Sequence, residues 1–222
     1  MTLFNFLLTI HIILGGTGLL LGTVVMFLKK GDKRHKLIGN IYFYSMLGTG
    51  IFAMSLSYFH PNQFLFITAV FTIYMILTGK RYLKKKKIGD VTQLDWLLTI
   101  AMLVFGIAFI GLGSNGIIKS NYFGIVLVVF GGLSLLFVYQ DYRNFKGQST
   151  IKNFWLTTHL QRMVGSFIAA FTAFIVVNNT LIPEILAWLL PTAILVPFIT
   201  IWRRKYQVKI DNNERSSKKP TA

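Results

Sequence analysis

The sequence predicts an all-α integral membrane bundle of seven transmembrane helices, with the N-terminus outside and the C-terminus cytoplasmic. Three observations lead there. First, 54% of the 222 residues are hydrophobic and only 14% are charged, where a soluble domain carries about 25% charged residues. Second, the charges are not dispersed but sit between apolar runs that approach or exceed about 18 residues, the length that reads as a membrane span. Third, the basic residues fall on alternate connections. The segments that follow spans 1, 3, 5 and 7 hold the basic clusters, and those that follow spans 2, 4 and 6 hold only Lys119 and Glu184, which puts 22 Lys and Arg and six acids on the cytoplasmic side against one of each outside. Basic connections stay in the cytoplasm, so this bias sets the orientation.

Span 1 covers about residues 3–28. It has no basic n-region and no small-x-small cleavage site, so it reads as a retained span rather than a signal peptide. The stretch KKGDKRHKLIGNIY, from Lys29 to Tyr42, then places five basic residues and one acid between two apolar runs. It reads as a cytoplasmic loop, and His35 marks the point of re-entry. Span 2 covers about 37–59 and ends at the turn signal His60-Pro61-Asn62. Span 3 covers about 63–79 and stops before KRYLKKKK. Span 4 covers about 94–113, and span 5 about 121–139, followed by a loop QDYRNFKGQSTIKN. Span 6 covers about 155–178 and span 7 about 182–202, ending at WRRK. Pro191 and Pro197 are expected to kink span 7. Residues 1–206 form the transmembrane domain, and 207–222 read as a basic, disordered cytoplasmic tail. Trp96, Trp155 and Trp202 all fall at inner interfaces, where indole rings favour the headgroup level.

These features exclude several classes. Without cysteine there is no disulfide, thiolate metal site or thiol nucleophile. The connections leave no room for a separate ATPase, kinase or peptidase module, and there is no phosphate-binding glycine loop and no HExxH. The net charge of +16 does not point to nucleic acid. Every basic cluster abuts an apolar run, so the expected partners are membrane lipids, with anionic headgroups at the cytoplasmic face.

The candidate site residues are the four histidines and the deepest basic residue. His11, Gly15, Gly18 and Gly22 recur at helical spacing, so span 1 carries one polar, small-residue stripe. His35, Gly39, Tyr42, Met46, Gly50 and Ala53 make a matching stripe on span 2, with His60 at its far end. On span 6, Arg162 follows His159 by three residues and shares its face. Arg162 either snorkels to the cytoplasmic headgroups or meets an anion, a propionate-like substituent or Asp95 across the bundle. Asp95 itself suits an N-cap position. Lys36-Leu-Ile-Gly39 and Arg162-Met-Val-Gly165 share a basic-x-x-Gly pattern with a histidine just upstream.

Grouped by depth, His11 and His60 belong to the outer half, and His35 and His159 to the inner half. Two facing histidines can supply both axial ligands of a haem iron, so the pairs predict a haem-binding or redox-linked role, with Arg162 beside a propionate. Zinc fits less well, because two histidines per leaflet fall short of the usual ligand set unless Glu184 or Asp95 contributes. A proton-coupled small-solute transporter is the alternative, with histidine as the titrating group. A structural or assembly role is the third.

The His-Lys-x-x-Gly-x-x-Tyr run opening span 2, the His159-x-x-Arg-Met-x-Gly run opening span 6, and His11 together resemble an uncharacterised family of bacterial predicted multi-pass membrane proteins. The likeness covers about residues 5–200. It implies a membrane location, and no activity, cofactor or substrate. Its landmark positions here are His11, His35, Gly39, Tyr42, His60, His159 and Arg162.

Overall fold

The computed structural model describes residues 2–87 and 90–209. Among these, seven α-helices follow one another: α1 (Leu3–Phe27), α2 (Lys33–Phe59), α3 (Gln63–Tyr82), α4 (Gln93–Ile118), α5 (Phe123–Phe145), α6 (Phe154–Asn178) and α7 (Glu184–Tyr206). All seven are long and apolar enough to cross a membrane. The side chains of Glu184, Ile185 and Leu189 lie outside the description. So do residues 210–222, which hold most of the tail expected to be disordered.

Local chemistry explains where the helices begin. The Thr2 hydroxyl accepts from the Asn5 amide at 3.3 Å, the Asp32 carboxylate from His35 at 2.6 Å, and the Asn62 side chain from Leu65 at 3.0 Å. Each satisfies one of the amides a helix start leaves without an intrahelical partner. At the other end of α1, the Lys30 ammonium donates to the Val25 and Met26 carbonyls at 3.0 and 2.7 Å, and lies 4.8 Å from the Trp202 ring centre. Partial burial there pushes the Lys30 ammonium below the ordinary lysine range.

Helix α3 is the central element. It packs against α2 and α6 along its length and touches α4 and α5. Accordingly it is the most buried span, with Met75, Ile76 and Tyr82 fully enclosed. Helices α1 and α2 form one hairpin on its flank. His11, Gly15, Gly18 and Gly22 of α1 all turn toward α2, meeting Thr49, Met46 and Tyr42. Helices α4 and α5 form the other hairpin. At Gly113 and Gly124 their backbones approach so closely that an added Cβ at Gly113 would lie 2.6 Å from the Gly124 carbonyl, the kind of contact small residues permit between membrane helices. Helix α7 leans on α6 and runs unbroken through Pro191 and Pro197.

Several boundaries differ from the sequence reading: α2 already begins at Lys33, so Lys33 to Lys36 with His35 are helical rather than loop, and α3 runs on to Tyr82 and α7 to Tyr206. Helix α4 continues to Ile118, beyond the GLGSNG run, where Gly113 and Gly116 pack closely against Gly124 of α5. Helix α5 continues through Gln140-Asp141-Tyr142-Arg143 to Phe145, so the first part of the expected loop is helical. After α7 the chain turns back. Residue 152 donates its amide to the Val208 carbonyl at 2.7 Å, and Ile151 bridges Lys209.

Candidate functional site

The polar residues of the bundle gather toward the basic end, where α3, α4, α5 and α6 meet. Arg162 of α6 and Asp141 of α5 are both 0% exposed, and Arg162 Nη2 lies 2.7 Å from Asp141 Oδ1. The same Nη2 donates to the Phe137 carbonyl at 3.0 Å. The guanidinium packs against two rings, 4.1 Å from the centre of Phe137 and 5.0 Å from that of Tyr74. Snorkelling is therefore excluded for Arg162, and its partner is Asp141, not Asp95.

Asp141 is ringed by donors. The Tyr74 hydroxyl donates to Oδ2 at 2.5 Å and the Tyr82 hydroxyl to Oδ1 at 2.7 Å. Thr99 Oγ1 lies 3.3 Å from Oδ2. Asn144 donates to the Tyr82 hydroxyl at 3.2 Å and to Thr158 at 3.3 Å. An ionised carboxylate only accepts, so these donors satisfy it fully. Arg162 is less well served: its Nη1 reaches only the Met75 sulfur at 3.6 Å, and its Nε has no partner among the described residues.

A second cluster lies closer to the basic end. Asp95, in the first turn of α4, accepts from the Thr92 amide at 2.9 Å, as a capping-type acid should. It also pairs with Arg81 and Lys85, each at 2.6 Å. Lys85 is 2% exposed; burial pushes its ammonium below the ordinary lysine range, and Asp95 pulls it back. Thr99 joins the two clusters, because its hydroxyl also lies 2.9 Å from the Asp95 carbonyl oxygen. On the other side of Arg162 the bundle is apolar, filled by Met75, Met102, Phe71 and Phe137.

The histidines occupy the contacts between helices. His159 Nδ1 lies 2.8 Å from the Gly79 carbonyl of α3, and His11 Nδ1 lies 3.1 Å from the Thr49 carbonyl of α2. A carbonyl only accepts, so both Nδ1 atoms carry the proton and each neutral ring keeps its lone pair on Nε2. His35 is held at the Val25 carbonyl, with Nδ1 buried and unpartnered, and lies within electrostatic reach of His159. His60 caps α2 and stands edge-on to Phe4, with ring centres 4.3 Å apart. His35 and His159 thus share the rim at the basic end, and His11 and His60 both lie along the α1–α2 contact. Among the described residues no three His, Asp or Glu side chains cluster as a metal site would require.

Sequence reasoning missed Asp141, Tyr74 and Tyr82 as one site. The signal was present on α5, where Gly131, Ser134, Phe137, Asp141 and Asn144 recur at helical spacing and are all buried. No protein family, curated protein or solved structure matches this chain.

Proposed function

We propose that this chain is a multi-pass protein of the cytoplasmic membrane, N-terminus outside, that acts as a proton-coupled small-solute carrier built around the buried Arg162–Asp141 pair. The observation that carries the reading is the Arg162–Asp141 pair, 2.7 Å apart and wholly buried between helices. An ionisable residue inside a membrane bundle is costly and marks a working site by default. The donors around Asp141 supply the two-state element. Tyr74, Tyr82 and Arg162 all donate to the carboxylate, and the Thr99 hydroxyl, shared with the Asp95 carbonyl, stands 3.3 Å away. Protonation adds a hydroxyl donor where only acceptors are wanted and removes the charge that holds Arg162. The cluster then has to rearrange, and α5 and α6 move with it. Thr99, Asp95, Arg81 and Lys85 form the polar route toward the basic end.

The test is uptake of amino acids, sugars and small carboxylates into vesicles under an imposed pH gradient. Asp141→Asn should abolish gradient-driven uptake. Breaking a buried pair costs about 3–5 kcal/mol, whereas replacing both partners by apolar groups is often neutral. The folded double variant Asp141→Leu, Arg162→Met therefore separates the roles. Wild-type uptake by that variant would refute the role given to the Arg162–Asp141 pair, and no gradient-driven uptake by the native protein would refute the carrier.

A second reading, a haem-linked redox role, has its own support. His11 and His159 each hold Nδ1 on a backbone carbonyl and leave Nε2 free, as a ligating histidine does. With His60 and His35 they would hold the haem, which when bound would supply one-electron chemistry. An absorption spectrum of protein purified after haem-replete expression decides it; a colourless, folded preparation rejects the reading. Independent pairs would let His159→Ala remove one haem and leave the other.

A further inference from the structure

Helices α5 and α7 do not pack along their lengths, and α6 and α3 form the floor between them. The cleft has a volume of about 1260 Å³, larger than the roughly 300–1,000 Å³ of pockets for small ligands. It runs from Asn121 and Tyr122 at one end to Arg203, Arg204 and Gln207 at the basic end. Between them the walls are apolar, with Phe71, Phe130, Phe137 and Trp188 prominent. None of the four histidines lines it.

We propose that this cleft binds an anionic phospholipid, its acyl chain along the α5–α7 walls and its headgroup at Arg203 and Arg204. Three observations bear on the occupant. The cleft is apolar over the depth of the bundle and cationic only at the basic end, the polarity of an anionic amphiphile. Neither arginine pairs with a carboxylate among the described residues. Polar groups inside the cleft wait for a partner. Thr172 Oγ1 is buried without one, in a residue 4% exposed. Gln161 uses its oxygen to accept from Gln140 at 2.9 Å, which leaves its amide N–H groups to donate toward a headgroup or glycerol oxygen.

The test uses brominated acyl chains, which quench a nearby indole. Leu136 lines the cleft on α5 and is 55% exposed, so Leu136→Trp adds a reporter without disturbing the core. Leu97 of α4, also exposed and absent from the cleft lining, supplies the control Leu97→Trp. Each variant is reconstituted in phosphatidylcholine vesicles containing increasing brominated phosphatidylglycerol or brominated phosphatidylcholine, and its signal is read as the difference from the native protein. The cleft reporter should be half-quenched at a lower mole fraction of phosphatidylglycerol, by roughly fivefold for each arginine engaged. Arg203→Gln with Arg204→Gln should remove that preference, and the exposed single change Arg204→Gln should reduce it by roughly fivefold. The α4 reporter should show no preference. Equal quenching by both lipids at Leu136→Trp, or a preference that survives loss of both arginines, would overturn the assignment. So would a reporter quenched by neither lipid; cross-links between copies through α5 and α7 would then make the occupant a second copy.

Discussion

Gly79 and His159 meet where α3 and α6 cross: the Gly79 carbonyl oxygen lies 2.8 Å from His159 Nδ1. The same glycine leaves the space that Arg162 needs, because a Cβ at position 79 would stand 2.9 Å from Arg162 Cβ. One backbone position therefore seats both the histidine and the arginine of α6.

Gly79→Ala should destabilise the protein by about 1–3 kcal/mol, the usual cost of overpacking. Gly165→Ala should cost less, though it meets Met75, because the clash there is with the end of a flexible side chain. Denaturation in detergent, followed by circular dichroism, compares the two. A larger loss for Gly165→Ala would contradict this description of the crossing.

Reporter fusions test the orientation. Those after Gly113 and Asn179 should read outside, and those after Lys85 and Tyr206 inside. The motive is that the basic clusters fall on one set of connections, while the alternate set holds only Lys119. An internal signal at Gly113 together with an external one at Lys85 would invert the bundle.

Asp95→Asn should destabilise the α3–α4 junction, since Lys85 is 2% exposed and would lose its only carboxylate partner among the described residues. The expected loss is about 2 kcal/mol, below the full figure for a broken buried pair because Arg81 is partly exposed. Lys85→Met in the same chain should recover part of it. No recovery in the double variant, measured by the same denaturation, would mean the ammonium is not stranded.

Tyr42 of α2 reaches α6, with its hydroxyl 2.8 Å from Ser166 Oγ and 3.3 Å from the Met163 carbonyl. Hydrogen bonds between membrane helices average only about 0.6 kcal/mol. Tyr42→Phe should thus cost about that much, and a loss above about 2 kcal/mol would contradict an ordinary interhelical hydrogen bond at this hydroxyl.

The helices were legible because charge cannot sit in hydrocarbon, and the α1 and α2 stripes because small residues mark close approach. Arg162 stood out in the sequence as a buried-face basic residue. Its counter-ion did not. Asp141 follows an aromatic and a glutamine and precedes Arg143, so linear hydropathy ends the span at residue 139. Only the continued helical spacing from Gly131 places its carboxylate inward. Tyr74 and Tyr82 were still harder to assign, because a tyrosine suits an interface as well as a core. Which rings turn toward Asp141 depends on the packing of α3 against α5 and α6, which no single segment encodes.

Asp141 and Arg162 are 21 residues apart in the chain. At about 5–20 residues per second, the ribosome needs roughly 1–4 s to add the arginine after the aspartate. During that interval α5 exists with an acid on its inward face and no cation to neutralise it. Tyr74, Tyr82 and Thr99 are already made, so the nascent acid has hydroxyl partners but no opposing charge. The pair is therefore completed in order of synthesis, acid first, and α5 is the helix whose buried charge is balanced only by the helix that follows.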